Sequence, residues 1–279
     1  MAAASNLVLR LATAVVGVPI ILALLYPAPH WPAPHWAFFA LTLPASMLCA
    51  WEFFAMTHGG NRVAQTVYVL LSAVVATTFF FAEDARAFVT VLVLVPLMGP
   101  LLTLAWLGDM RTAALRAAAG TFGPLYTGIP LTLLALLRKR YGADGSGYIL
   151  IALGLAWVSD TGGYFAGKRF GKHKLYEEVS PKKTVEGAIG GLLAATLWTL
   201  LGHFTFAKAI PLLHGVVLAI VGAGLGQMGD LAESLFKRST GVKDSGNILP
   251  GHGGILDRVD AVLVTSSVVF LYVLWTRPQ

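Results

Sequence analysis

The chain has 279 residues, of which 56% are hydrophobic and only 12% are charged, and its formal net charge is +6. Soluble domains carry about a quarter charged residues, so this composition excludes an ordinary water-soluble protein and favours the bilayer as solvent. Basic residues do not alternate with aromatic ones along any groove-like stretch, which argues against nucleic-acid binding. Cys49 is the only cysteine, so an intrachain disulfide is excluded.

Apolar runs fill most of the chain and predict an all-α integral membrane protein, a polytopic bundle of about nine transmembrane helices. Most of the runs reach the roughly 20 residues that cross a hydrocarbon core. Two of them, the third and the seventh, are marginal in length, so eight spans are the alternative. The predicted spans are 7–26, 35–56, 64–81, 87–107, 122–137, 148–166, 188–206, 214–232 and 259–275.

Charge placement suggests a division of the chain and an orientation. Residues 1–147 hold about five predicted helices, and residues 148–279 form a C-terminal region that carries most of the charged motifs. The loop at 167–187 is the richest in lysine and arginine, and the positive-inside rule places it in the cytoplasm. The segment 237–258 lies two spans later and is therefore expected on the same side. The basic group at 138–140 falls outside in this arrangement and counts against it.

Acidic residues at membrane depth mark the eighth span. Asp230, Glu233 and Lys237 stand at i, i+3 and i+7, on one face of the helix as it leaves the membrane. An intrahelical pair between Glu233 and Lys237 is one interpretation, and a functional role is an equal alternative. Asp230 lies a turn deeper without a nearby cation in sequence, which favours function.

Two more carboxylates, Asp257 and Asp260, open the last predicted helix. Asp257 as N-cap and Asp260 at the third position would resemble a capping box. Two carboxylates on one face also repel each other unless a cation lies between them, and oxygen ligands suit a hard cation. Metal or phosphate chemistry is therefore favoured over capping alone, although both can hold.

Other polar groups interrupt or follow the sixth span. Asp160 lies inside it, where a carboxylate needs a polar cavity or a lysine partner. Ser180 and Pro181 resemble the N-cap and first position of a helix, and the lysines Lys182 and Lys183 that follow suit either a topology signal or a phosphate. The histidines show no zinc-like spacing, and His252, between glycines, could bond a phosphate or its own turn.

Three stretches carry a resemblance to a known family. The longest, 234–260, reads SLFKRSTGVKDSGNILPGHGGILDRVD, and two shorter ones are SDTGGY at 159–164 and SPKKTVEG at 180–187. Together they resemble the signature stretches of the phosphatidate cytidylyltransferases, or CDP-diacylglycerol synthases. They cover roughly the last 120 residues, and the N-terminal half is similar to the family only in its hydrophobic spans.

The resemblance implies transfer of a cytidylyl group from CTP to phosphatidic acid, which gives CDP-diacylglycerol and pyrophosphate for phospholipid biosynthesis. It implies Mg²⁺ as cofactor, held by Asp230, Asp257 and Asp260, and leaves a second cation open. The expected catalytic residues are Asp230, Lys237, Arg238, Asp257 and Asp260. The expected substrate-binding residues are Asp160, Lys182, Lys183, Lys243, Asp244, His252, Gly253, Gly254 and Arg258.

Two other functions stay open beside this one. A related CTP-dependent transferase would act on another lipid acceptor, and an ion-coupled transporter would also bury acids in a helical bundle. The expected partners are CTP, phosphatidic acid and the lipid bilayer, and the expected location is a bacterial inner (plasma) membrane with catalytic loops in the cytoplasm. The glycine-rich eighth span and the last span are predicted as faces of a homodimer.

Overall fold

A computed structural model describes residues 17, 19–26, 36–248 and 253–277 of the chain. Within these residues, seven helical stretches are long and apolar enough to cross a membrane. The chain is therefore a predominantly helical membrane protein, as its composition predicts. The helices are α1 Ala37–Thr57, α2 Arg62–Phe81, α3 Ala85–Ala105, α4 Ala113–Phe170, α5 Val185–Phe204, α6 Leu212–Ser239 and α7 Leu256–Thr276.

The longest stretch, α4, contains two of the predicted spans. Its 58 residues would measure about 87 Å at 1.5 Å per residue, roughly three times the thickness of a hydrocarbon core. Gly142 divides it, because its backbone has φ 54° and ψ −120°, a positive φ that glycine adopts without steric cost. Eight of the predicted spans thus overlap helices. The first predicted span falls largely outside the described residues, so a total of nine stays a prediction.

A small hairpin interrupts the helices after α4. Strand β1, Lys174–Tyr176, pairs antiparallel with β2, Ser180–Thr184. The expectation that Ser180 caps a helix is wrong, because Ser180 and Pro181 belong to β2. The helix α5 begins five residues later, where the Thr184 hydroxyl accepts a hydrogen bond from the Gly187 N–H at 3.1 Å. Threonine suits this position because its oxygen satisfies an N–H group that lacks an intrahelical partner.

The chain divides into two compact units. The first unit comprises Met1–Leu136 and Asp244–Asp257, and the second unit comprises Leu137–Lys243 and Arg258–Gln279. The segment Asp244–Asp257 therefore packs with the N-terminal helices, although it is part of the motif-rich C-terminal region. The predicted division at residue 147 stays a prediction.

Aromatic packing holds the helices of the first unit. The rings of Phe39 and Phe80 stack with their centroids 4.1 Å apart, and those of Phe54 and Tyr68 stack at 4.6 Å. The Tyr68 hydroxyl donates to the Gly99 carbonyl at 3.2 Å, which ties α2 to α3. In a bilayer, such close contacts and interhelical hydrogen bonds hold helices together, because lipid tails are as apolar as the side chains themselves.

Small residues bring the helices of the second unit close together. A Cβ added at Gly162 of α4 would overlap the Cβ of Ala194 in α5. A Cβ at Gly229 of α6 would come within 2.5 Å of a methyl group of Val264 in α7. Glycine is therefore needed at these positions for the backbones to approach, and the approach brings polar residues of α4, α5, α6 and α7 near one another.

Candidate active site

A cavity of about 410 Å³ opens in the second unit, and it collects residues from both shorter motifs and from α6. It lies among the second half of α4, the hairpin, the start of α5 and the second half of α6. Most of the residues that line it are charged, carry a hydroxyl group or are glycine. The lining residues are Ser159, Asp160, Gly163, Tyr164, Gly167, Lys168, Leu175, Lys182, Lys183, Thr184, Gly187, Ala188, Gln227 and Asp230.

The cavity brings together two residues that the sequence places 47 positions apart. The Lys183 ammonium of β2 lies 2.6 Å from the Oδ2 atom of Asp230 in α6. The side chains are 27% and 21% exposed, so the pair is shielded from bulk water but still reachable from the cavity. Asp230 does have a cation beside it, although none is near in sequence. Partial burial strengthens the attraction because the surrounding dielectric is lower than that of water.

Two further carboxylates lie within electrostatic range of this ion pair. Asp160 of α4 interacts electrostatically with Asp230, and it also feels the positive charges of Lys183 and Arg258. Asp260 of α7 is buried and interacts electrostatically with Asp230 and Asp160. Its Oδ1 atom accepts a hydrogen bond from the backbone N–H of Ala261 at 2.7 Å. Like charges this close disfavour each other, so positive charge in this region is stabilising.

The donor chemistry of these carboxylates fits a hard divalent cation, because Mg²⁺ prefers oxygen ligands and is commonly bound by one or two carboxylates together with substrate phosphates. Over residues 36–248 and 253–277, no group of three or more His, Cys, Asp or Glu side chains is already arranged around a metal position. Two carboxylates and the oxygens of a phosphate are the arrangement that these residues suit best.

Sequence reasoning missed two polar residues of the cavity. The Gln227 side-chain amide donates to the Ser159 hydroxyl and to the Ala188 carbonyl, at 3.1 Å in each case. These bonds join α6, α4 and the first turn of α5 at the cavity wall. Gln227 stands three residues before Asp230 and Ser159 directly before Asp160. The sequence therefore contained a signal for both residues. Gln227 lies about one helical turn from an acidic residue at membrane depth, and Ser159 lies next to one.

The remaining predicted residues of α6 contact other parts of the second unit. Lys237 forms an ion pair with Glu233 on the same helix, and both side chains are buried. This is the intrahelical pair that the sequence offered as one interpretation. The Arg238 guanidinium donates to the backbone carbonyls of Val179 and Val242, at 3.4 Å in each case.

In the first unit, Asp257 holds the segment that precedes α7. Its described residues are 244–248 and 253–255, which we call the pre-α7 loop. The Oδ2 atom of Asp257 accepts hydrogen bonds from the Ser245 N–H at 2.9 Å, the Ser245 hydroxyl at 2.9 Å and the Gly254 N–H at 2.8 Å. Asp257 lies in the first turn of α7, which begins at Leu256, so it does not occupy the N-cap position itself. Its carboxylate still performs a capping function, because it closes the loop onto the start of the helix.

Sequence reasoning missed a second carboxylate that contacts this loop. Glu52 of α1 is 2% exposed, and it accepts hydrogen bonds from the backbone N–H groups of Ile255 at 3.0 Å and Leu256 at 2.8 Å. Its Oε2 atom also lies 3.1 Å from the Ser245 hydroxyl. The signal was a lone carboxylate inside an apolar span, in Cys49-Ala50-Trp51-Glu52. Such a residue is functional or paired by default.

The other predicted substrate-binding residues do not all lie at the cavity. Lys182 is exposed and lines the cavity, whereas Lys243 and Asp244 are exposed at the junction of the two units along the chain. Gly253 has a φ of 80°, a left-handed conformation that favours glycine. The exposed Arg258 accepts a hydrogen bond at its backbone carbonyl from the Trp157 indole at 3.5 Å. His252 lies outside the described residues.

Comparison with known proteins agrees with the family resemblance of the sequence motifs. The sequence model of the Cytidylyltransferase family matches residues 8–276. A phosphatidate cytidylyltransferase of Staphylococcus saprophyticus is 39% identical over 197 residues, which cover 70% of this chain and 74% of that protein. A phosphatidate cytidylyltransferase of Staphylococcus aureus strain COL is 40% identical over 199 residues, with the same coverage of 70% and 74%.

Proposed function

Since the chain belongs to the cytidylyltransferase family, whose sequence model covers residues 8–276, we propose that it transfers the cytidylyl group of CTP to phosphatidic acid. The products are CDP-diacylglycerol and pyrophosphate, as for the staphylococcal relatives named phosphatidate cytidylyltransferase. The family membership confirms the resemblance that the three sequence stretches carry. The chain is accordingly a nucleotidyltransferase of phospholipid biosynthesis.

The observation that carries the proposal is the Lys183–Asp230 pair at the wall of the cavity, with Asp160 and Lys182 beside it. In the reaction, a phosphate oxygen of phosphatidic acid forms a bond to the α-phosphorus of CTP. The bond from that phosphorus to the oxygen bridging to the β-phosphate breaks, and pyrophosphate leaves with the electron pair. The protein has to bring two anions together and to neutralise the charge that develops on the leaving group.

The residues of the second unit are suited to this division of work. Lys182 and Lys183 bind phosphate oxygens as point charges on flexible stems. Asp230 and Asp260 would hold Mg²⁺, and Asp160 adds negative charge near the same position. Bound Mg²⁺ would supply positive charge that neutralises phosphate oxygens. A metal-binding role for Asp257, direct phosphate contacts of Lys237 and Arg238, and a second cation stay predictions.

Purified protein in mixed detergent micelles tests this function directly. With labelled CTP, phosphatidic acid and Mg²⁺, we expect a CDP-lipid and one pyrophosphate per CTP consumed, and neither product when phosphatidic acid is omitted. An isoprenoid ether lipid or a polyprenol phosphate competes as acceptor in a parallel reaction. Preference for one of those lipids would reassign the acceptor, and absence of pyrophosphate release with every acceptor would contradict a transferase and favour a transporter.

The orientation of the loops needs a separate test. We propose that the segments 167–187 and 237–258, which include the hairpin and the pre-α7 loop, face the cytoplasm of a bacterial inner membrane, since lysines and arginines concentrate in these two segments. The variants Lys172→Cys and Asn247→Cys place thiols at exposed positions of the two loops, in a Cys49→Ala background. Both should react with an impermeant thiol reagent from the cytoplasmic side alone. Reaction of the two from opposite sides would contradict the predicted topology.

A further inference from the structure

The pre-α7 loop carries several of the predicted substrate-binding residues, yet its described contacts reach back to α1. Glu52, Ser245, Ile255, Leu256 and Asp257 all belong to the first unit. Glu52 is separated from Ser245 by 193 positions and from Leu256 by 204. A carboxylate with almost no exposure accepts hydrogen bonds from this loop and from the start of α7.

Glu52 accepts hydrogen bonds from backbone N–H groups that have no partner within the helix, because they lie at its start. Ile255 and Leu256 supply backbone N–H groups at the beginning of α7, where no preceding turn offers a carbonyl. Negative charge is also favoured there by the helix dipole. Glu52 thus caps α7 from another helix. Its carboxylate does the work that the side chain of a serine or threonine at the N-cap position usually does.

The same carboxylate is coupled to Asp257 through Ser245. The Ser245 hydroxyl lies 3.1 Å from Oε2 of Glu52 and 2.9 Å from Oδ2 of Asp257, so it bridges the two carboxylates and can donate its single proton to one of them at a time. Glu52 and Asp257 therefore hold both ends of the pre-α7 loop, one from α1 and one from α7.

Two glycines leave the space that this arrangement needs. A Cβ at Gly246 would lie 2.6 Å from Oε1 of Glu52, and a Cβ at Gly254 would overlap the side chains of Ser245 and Glu52. Gly254 was predicted as a substrate-binding residue, and its close approach to Glu52 gives it a packing role as well. The loop is thus shaped around the Glu52 carboxylate.

We propose that Glu52 is a positioning residue for the cytidylyltransferase reaction: it fixes the pre-α7 loop and the first turn of α7, and with them Asp257, Gly253 and Gly254, without touching a substrate. The expected loss of turnover rests on the proposed function. The expected loosening of the loop rests only on the contacts of Glu52. A displacement of about 1 Å in a positioned group can lower a rate about a hundredfold, so a residue of this kind affects turnover.

The test compares Glu52→Gln with Glu83→Gln, which changes an exposed carboxylate of the same unit. Hydrogen exchange of the peptide covering residues 253–258 is measured in detergent micelles, together with turnover per folded molecule. For Glu52→Gln we expect exchange at least about tenfold faster and kcat at least about tenfold lower, with KM for CTP within about threefold. Glu83→Gln should match the unmodified protein in both measurements.

A double-mutant cycle with Ser245→Ala separates positioning from general destabilisation. Both substitutions remove the contact between the Ser245 hydroxyl and Glu52, although Ser245→Ala also removes the hydroxyl bond to Asp257. The effects of the two single variants should therefore not add, and the double variant should lose less than the product of the two single effects. Unchanged exchange at 253–258 in Glu52→Gln, or faster exchange with undiminished turnover, would overturn the proposal. If Glu52→Gln fails to fold, Ser245→Ala decides: unchanged exchange and turnover in that folded variant would overturn it too. Failure of the unmodified protein to use CTP would instead count against the function and leave the exchange result standing.

Discussion

The first and second units each hold a group of carboxylates, and the two groups differ in what surrounds them. In the first unit, Glu52 and Asp257 accept hydrogen bonds from backbone N–H groups and from the Ser245 hydroxyl. In the second unit, Asp230 pairs with the Lys183 ammonium and feels the negative charge of Asp160 and Asp260. The carboxylates of the first unit thus accept hydrogen bonds from backbone dipoles, whereas Asp230 in the second unit pairs with a lysine side chain.

This difference assigns different work to residues that look alike in sequence. Hydrogen bonds from fixed N–H groups hold a backbone segment in one conformation, so Glu52 and Asp257 are suited to shaping the pre-α7 loop. A lysine can exchange an aspartate for a phosphate oxygen, because its charge is carried on a flexible stem. The carboxylates of the second unit are therefore suited to a site that charged ligands enter and leave.

Loss of Asp230 should have the largest effect. The substitution Asp230→Asn removes the charge that pairs with Lys183 while preserving shape, so we expect kcat to fall by about a hundredfold to a thousandfold. Steady-state kinetics with CTP and phosphatidic acid varied separately would measure it, with Asp144→Asn at an exposed position as the matched control. An Asp230→Asn enzyme within tenfold of normal turnover would remove this ion pair from the reacting centre.

Loss of Asp257 should be smaller in rate but visible in stability. Asp257→Asn weakens three hydrogen bonds to one carboxylate oxygen, and bonds to charged groups contribute about 1.5–3 kcal/mol each. We expect turnover per folded molecule to fall by about tenfold to a hundredfold, with a lower melting temperature in micelles. A fall in turnover at unchanged stability would favour the metal-ligand interpretation instead, and Glu83→Gln serves as the control.

The two lysines of β2 should differ from each other. Lys183 pairs directly with Asp230, whereas Lys182 lines the cavity as an exposed side chain. Exposed charges contribute less than partly buried ones, so Lys183→Ala should raise the KM of one substrate by about tenfold and Lys182→Ala by only about twofold. Phosphatidic acid is the substrate we expect to be affected more. Equal effects of the two variants would mean that the ion pair with Asp230 is irrelevant to binding.

Among the variants expected to lower kcat, Arg238→Ala should have the smallest effect. Its guanidinium donates to the Val179 and Val242 carbonyls at 3.4 Å, a length at which hydrogen bonds are weak. We therefore expect Arg238→Ala to lower kcat by no more than about threefold, the scale of one weak hydrogen bond. Arg238→Lys keeps the charge and serves as the companion variant. A hundredfold loss in Arg238→Ala that Arg238→Lys restores would return the residue to the transferring phosphate, as the sequence predicted.

Local patterns allowed the sequence to predict the class of the protein and most of its helices. Hydropathy is a property of consecutive residues, so the runs that became α1 to α7 were visible, and the two spans within α4 were separated on either side of Gly142. Asp160 and Asp230 were also proposed as site residues, because charge at membrane depth stands out against apolar neighbours. Lys183 was proposed from the lysine pair in the basic loop 167–187. The helix start predicted at Ser180 was wrong, since a local cap pattern cannot exclude strand pairing with β1.

The tertiary structure alone decided which polar groups meet. Lys183 reaches Asp230 because β2 lies beside α6, and Glu52 reaches Leu256 across 204 positions because α1 packs against the pre-α7 loop. No sequence period connects such residues, since their distance depends on how helices and loops pack rather than on spacing along the chain. The sequence by itself was enough to predict a membrane protein of this family and to single out its charged residues at membrane depth. Packing decided that Asp230 pairs with a lysine, and that Asp257 joins Glu52 in holding a loop.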